Sequence, residues 1–117
     1  MSLISGSATV ARIFVEEDDR YRGNSMYEAI LSLAKEMKLA GCTVLRAVEG
    51  YGASTMIHSD RAIRSSEDLP IIIELVESRD RLRRFLKRVE AMLAEARCGS
   101  LITLSDVDIV RYQPDER

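Results

Sequence analysis

The apolar positions of this chain alternate between strand-like runs and helical stripes. Residues 8 to 15, Ala-Thr-Val-Ala-Arg-Ile-Phe-Val, are dense in apolar and β-forming residues and predict a first strand. Residues 16 to 23 are charged and end in glycine, as a connection does. Ser25 followed by Glu28 is a capping-box pattern. Tyr27, Ile30, Leu31, Ala34 and Met37 then share one helical face. Gly41 suits the left-handed position that ends a helix. Thr43 to Val48 predicts a second strand, which leaves through Gly50 and Gly52. Leu69 to Glu77 predicts a third, with Pro70 at its start, where a missing N–H is tolerated. Ser78 can cap a second helix, in which Leu82, Phe85, Leu86, Val89, Met92, Leu93 and Ala96 form one stripe. Gly99 is read as its stop. Leu101 to Leu104 is a short extended piece, Ser105-Asp106 a break, and Val107 to Tyr112 a last strand.

The order β-α-β, loop, β-α-β gives each helix one apolar face that needs a sheet to cover. Right-handed crossovers place both helices on one side. The expected class is α+β: a ferredoxin-like βαββαβ plait, an antiparallel four-stranded sheet with two helices on one face. One domain is expected over 1–117, with 53–67 a long flexible loop and 113–117 a frayed tail. The helix-free face is read as mixed. Arg12, Arg46, Glu74 and Arg111 sit in strand segments, Val44 and Val48 with Arg46 and Ile109 with Arg111. Such a face suggests pairing with other copies of the chain.

Composition narrows the function classes. Apolar residues make up 46% of 117 residues, enough for one core, and the net charge is −2. That balance argues against general nucleic-acid binding, which needs a basic surplus. No apolar run approaches the roughly 18 residues of a membrane span, so the chain is not expected to be membrane-embedded. The start, Met-Ser-Leu-Ile-Ser-Gly-Ser, lacks a secretory pattern, and a cytoplasmic location is expected. Cys42 and Cys98 are too few for a disulfide framework and read as reduced thiols.

Candidate chemistry is sparse. His58 is the only histidine, so no metal site is expected. The run Glu16-Glu17-Asp18-Asp19 reads as a solvated turn. Arg79, Arg81, Arg83, Arg84, Lys87 and Arg88 read as a solvated helix face. Met26, Met37 and Met92 read as core filling. No nucleophile has a base at a recognisable spacing, so no catalytic residues and no enzyme activity are expected. Gly50 and Gly52 let the backbone turn sharply or approach a ligand, and such a turn can aim N–H groups at an anion.

The pattern Gly-x-Thr-Val-x-x-Val-x-Gly-x-Gly at residues 41 to 52 resembles the second strand of PII-like nitrogen-signalling proteins. Glu17-Asp18-Asp19-Arg20-Tyr21, Met26-Tyr27-Glu28-Ala29, Ile57-His58 and Ser66-Glu67-Asp68-Leu69-Pro70 resemble more closely domain-of-unknown-function family 190, an uncharacterised branch of that superfamily. The resemblance implies a homotrimer with its sheets facing inward. It implies clefts between subunits that bind an anionic metabolite or an adenine nucleotide. Carried across by position, it assigns Thr43, Gly50, Tyr51, Gly52, Gly99 and Arg111 to the ligand. It assigns the 53–67 loop, with His58, Arg61 and Arg64, to a regulated partner protein, by analogy a membrane transporter. Arg97-Cys98-Gly99-Ser100 stands where PII proteins carry an acidic residue and a lysine, and it has no lysine. Gln113 stands for a second arginine, and Ala53-Ser54 lacks the family's basic and amide side chains. Much of a triphosphate cage is thus absent, which leaves either a nucleotide or a smaller, differently held anion. The alternative reading is a ligand-free trimeric scaffold.

Overall fold

The computed structural model describes residues 6–53 and 69–116. Along them run β1 (Gly6–Glu16), β2 (Arg20–Tyr21), β3 (Asn24–Ser25), α1 (Met26–Glu36), β4 (Thr43–Arg46), β5 (Pro70–Glu77), α2 (Arg79–Ala96) and β6 (Leu101–Ile109). Four strands form one sheet in the order β4-β5-β1-β6, and every neighbouring pair is antiparallel. This is the expected α+β plait.

The register sorts the sheet into two faces. Ala11, Ile13 and Val15 stand opposite Leu75, Ile73 and Ile71. All six are buried and join Met26, Ile30, Leu33, Leu82, Phe85 and Val89 in one core. The other face carries Val10, Arg12 and Phe14 opposite Val76, Glu74 and Ile72. Leu101 extends it beside Phe14, and Leu45 beside Ile72. Arg12 and Glu74 pair at 2.9 Å amid these apolar neighbours. Thr103 and Ser105 stand beside Arg12 and Val10 on it, so the face is mixed as expected, but its membership differs. Val44 packs against the core, opposite Ile73. Arg46 follows on the same side and pairs with Glu17 at the end of the sheet. Thr43 and Leu45 take the helix-free positions instead, because pairing with β5, not the composition of the segment, sets which residues point outward.

Both helices end earlier than their glycines suggested. α1 passes through Met37 to Lys38, which holds φ 58°. Leu39 N–H reaches Ala34 O at 3.1 Å, and Lys38 N–H reaches Lys35 O at 3.0 Å, the paired bonds of a Schellman stop. α2 repeats this with Arg97 at φ 58°, Cys98 N–H on Leu93 O and Arg97 N–H on Ala94 O. A left-handed residue other than glycine costs about 1–2 kcal/mol. At Lys38 the Arg81 guanidinium offsets part of it by donating to Met37 O at 2.8 Å and Lys38 O at 3.0 Å. Gly41 and Gly99 have no positive φ.

Other expectations change locally. Ser25 precedes α1 in an extended conformation but makes no side-chain cap bond, so the capping box does not close. Ser78 does cap, accepting from Arg81 N–H at 3.4 Å. The buried face of α1 is Met26, Ile30, Leu33 and Ala34, while Leu31 is exposed. The connection after β1 holds the small β2–β3 hairpin. Its tip, Arg22-Gly23, has φ 49° and 86°, both positive as a two-residue type I′ turn requires. β6 runs unbroken through Ser105-Asp106, because Ser105 and Asp106 pair with Val10 and Thr9 of β1. The strand ends at Ile109, so Arg111 lies beyond it.

Candidate functional site

The predicted ligand residues occupy two ends of the sheet. β4, β5 and β1 meet at one end, where Glu17 N–H donates to Leu69 O and Ala47 N–H donates to Pro70 O, each at 2.9 Å. The glycine turn follows directly. Gly50 has φ 151°, and a Cβ there would meet Pro70 Cγ at 3.6 Å. A Cβ on Gly52 would stand 3.4 Å from Glu16 Oε1. The backbone thus passes close to the edge of the sheet at both glycines, and only Gly50 needs glycine for its conformation. Between them Tyr51 projects outward, 90% exposed. Gly99 belongs to the same end, since it precedes Leu101, which pairs with Phe14 near the end of β1.

Charges at this end are ordered. Arg46 pairs with Glu17 Oε2, while Glu17 Oε1 is buried and accepts no hydrogen bond from a described residue. Asp19 Oδ2 accepts from Glu16 N–H at 2.9 Å, and Asp19 N–H donates back to Glu16 O at 3.1 Å. The acidic run is therefore a closed turn with the half-buried Glu17 carboxylate on its inner side. Among the described residues no group of three or more His, Cys, Asp or Glu side chains could hold a metal ion.

Arg111 lies at the other end. It follows Ile109, which pairs with Gly6 at the start of β1, whereas the glycine turn lies by Glu16 at its finish. The eleven residues of β1 separate these ends by roughly 30 Å. Thr43 lies on β4 opposite Glu74, on the helix-free face. Tyr112 donates to Ala40 O at 3.0 Å and ties the segment after β6 to the start of β4. A single protomer therefore does not gather Thr43, Gly50, Tyr51, Gly52, Gly99 and Arg111 around one ligand. His58, Arg61 and Arg64 lie outside the described residues. Four surface hollows lined by described residues contain none of the six.

The two cysteines are chemically quiet. Burial pushes the Cys42 thiol from its ordinary 9.0 up to about 11. Burial, then the nearby Asp19 carboxylate, raises Cys98 to about 11 as well. Each thiolate fraction at pH 8 is thus about 100-fold below that of an ordinary thiol. Iodoacetamide labelling at pH 8, followed by mass spectrometry, should be about 100-fold slower in the folded protein than in urea. Equal rates would show both thiols to be accessible and ionised. Since the folded pKa lies above the unfolded one, the thiols' contribution to stability is complete below about pH 9 and is lost as pH rises towards 11.

Among the described residues no helix is long and apolar enough to cross a membrane. Solved structures share the fold. CPII of Thiomonas intermedia, bound to ADP, AMP and acetate, superposes with a TM-score of 0.65 at 13% identity, over 93% of this chain and 94% of that one. A PII-like signaling protein of Thermus thermophilus gives 0.62 at 18% identity, over 92% and 94%. At such identities the likeness is one of fold. Among sequences, a UPF0166 protein of Aquifex aeolicus is 33% identical over 99 residues, 85% of this chain and 90% of that protein. A UPF0166 protein of Methanocaldococcus jannaschii is 28% identical over 109 residues, 93% of this chain and 97% of that one. The profile of DUF190, "Uncharacterized ACR", matches residues 8–109, both helices and nearly all of the sheet, and the chain belongs to that family, with the fold of the PII-like proteins.

Proposed function

We propose that this protein is a PII-like sensor. It acts as a homotrimer, binds an anionic metabolite or adenine nucleotide at the seams between subunits, and signals to a partner protein through residues 53–67. The observation that carries this reading is the helix-free sheet face. Phe14, Ile72, Leu45 and Leu101 lie on it side by side, and Leu45 and Leu101 are 46% and 52% exposed. A face of that composition is stable when another protein surface covers it. Facing sheets would also resolve the separation of the site: the Gly50–Gly52 turn of one protomer can meet a strand end carrying Arg111 only from another. The PII-like Thiomonas intermedia structure bound to ADP and AMP supports a nucleotide as the first ligand to try. Ligand would favour one arrangement of the 53–67 segment, and the differential affinity would set the partner's response.

The test is thermal unfolding against ATP, ADP, AMP, cyclic nucleotides and small carboxylates. A ligand at 100 times its Kd stabilises by about 2.7 kcal/mol, an easily read rise in Tm. Arg111→Ala should then weaken the binder roughly 10- to 100-fold, the worth of one hydrogen bond to a charged group. Equal binding by the variant removes Arg111 from the site. A flat response to every compound favours the ligand-free scaffold, a reading that the missing lysine in Arg97-Cys98-Gly99-Ser100 supports.

A further inference from the structure

The outer face of α2 carries a charge pattern that helix stability does not explain. Arg83, Arg84, Lys87 and Arg88 are all exposed. Arg79 and Arg81 have assigned work. Arg79 pairs with Asp106 at 2.6 Å, and Arg81 caps α1 and approaches Glu77 at 3.5 Å. The four cations between them and Glu90 form no ion pair or hydrogen bond with any described residue. Their spacing sets them against one another. Arg83 with Lys87 and Arg84 with Arg88 are like-charge pairs at i,i+4, and Arg84 with Lys87 is one at i,i+3, arrangements that weaken a helix and that Asp80, spaced i,i+3 and i,i+4 to Arg83 and Arg84, and Glu90, spaced i,i+3 to Lys87, offset in part. A chain of net charge −2 thus concentrates unpaired positive charge on one and a half turns of one helix. Local choices that oppose the fold gather where a surface has another use.

A hollow of about 590 Å³ adjoins this stripe, between α1 and α2. Arg88 lines it together with Ala29, Ser32, Ala91 and Met92, and the acid Glu36 lines it as well. Its far wall is fixed: Arg22 donates to both oxygens of Glu95 at 2.8 Å and lies 5.0 Å over the Tyr21 ring.

We propose that the Arg83–Arg88 stripe of α2 is a docking surface for an acidic segment of a partner protein. Carboxylates of that segment would pair with the four cations, and one side chain would enter the Ala29–Met92 hollow. The size of the patch selects the partner class. The stripe spans about 8 Å of helix axis and is bounded by the exposed acids Asp80 and Glu90. A short acidic peptide fits between those bounds. A membrane surface or a nucleic-acid backbone, which carry negative charge continuously, would press phosphates against both acids. The stripe lies on the helix layer, opposite the helix-free sheet face, so a failed nucleotide titration would leave this inference standing.

The experiment measures fluorescence anisotropy of a fluorescein-labelled tetra-glutamate peptide, whose four carboxylates span roughly 10 Å when extended, at low salt, with amide chemical shifts of the full chain followed in the same titration. The wild type should bind with strong salt dependence, and the shifts should cluster at residues 83–92 and at Ala29 and Ser32. Arg84→Glu combined with Lys87→Glu should weaken binding about tenfold or more. Lys35→Glu, an exposed reversal on α1, should weaken it less than the α2 pair does, and the gap should widen as the ionic strength is raised to about 0.15 M. The double variant makes the pairs with Arg83 and Arg88 attractive and those with Asp80 and Glu90 repulsive, so the changes offset and its Tm should stay close to that of the wild type. Equal losses from both variants, shifts centred elsewhere, or no binding by the wild type would overturn the proposal. So would phosphatidylserine vesicles that bind the wild type more tightly than the peptide does and lose it in the double variant.

Discussion

Glu77→Ala should lower folding stability by about 3–5 kcal/mol. Glu77 is fully buried at the end of β5. Its Oε1 accepts from Ala40 N–H at 2.8 Å and its Oε2 from Ser78 N–H at 2.9 Å. Arg81 Nε stands 3.5 Å away, too poorly aligned for a hydrogen bond but close enough for charge pairing. One carboxylate thereby joins the turn before β4 to the start of α2. Removal would leave two half-buried N–H groups without their acceptor and Arg81 without this anion. Glu77→Gln keeps one carbonyl acceptor and should lose roughly 1–3 kcal/mol. Urea unfolding measures both: the midpoint should fall while the m-value holds. A midpoint unmoved by Glu77→Ala would mean that the buried carboxylate is replaced without cost. Stabilities of about 5–15 kcal/mol are usual, so the alanine variant removes a large share of the total.

Leu45→Asp combined with Leu101→Asp should convert the proposed trimer into folded monomers. Both leucines are about half exposed in the protomer, so each change should cost the isolated subunit about 1–2 kcal/mol in lost apolar burial and strand propensity. Against a facing sheet the same aspartates would be desolvated without partners, at about 3 kcal/mol or more for each protomer. Sedimentation equilibrium should give three times the 13.2 kDa subunit mass for the wild type and one subunit mass for the variant. A monomeric wild type would remove the seam on which the proposed ligand site depends. A variant that stays trimeric would place the contact elsewhere on the subunit.

Much of the architecture was legible before any coordinates. The α2 stripe of Leu82, Phe85, Leu86, Val89 and Leu93 is buried as its period predicts, because a sustained 3.6-residue repeat has one solution beside a sheet. On α1 the shorter repeat allowed a rotation, and Leu33 is buried where Leu31 was expected. The glycine stops failed for another reason. Lys38 and Arg97 hold the left-handed positions, at a conformational cost that the surrounding bonds repay and that no propensity reveals. Ser105-Asp106 looked like a break, yet the ladder to Val10 and Thr9 carries β6 through it. The β2–β3 hairpin was missed because Arg22-Gly23 is a weaker turn signal than Asn-Gly. The helix-free face was the largest revision. It carries the Arg12–Glu74 pair with Thr43, Thr103 and Ser105 among its apolar residues, and two of the arginines expected there, Arg46 and Arg111, stand at the ends of the sheet or beyond it.

The order of local periods determined by itself that two helices would lie behind an antiparallel sheet, because short-range geometry dictates which residues of one element can be buried together. It also marked Gly50-Tyr51-Gly52 as a place where the backbone turns out of the sheet. What only the tertiary structure decided is which residues share a face and how far apart they stand. Strand register, set by the pairing of Leu45 with Ile72, Phe14 with Leu101 and Gly6 with Ile109, which are 27, 87 and 103 residues apart in the chain, put Leu45 and Leu101 on the uncovered side and placed Arg111 a sheet-length from the glycine turn. Such separations depend on long-range hydrogen-bond partners, which no local pattern encodes.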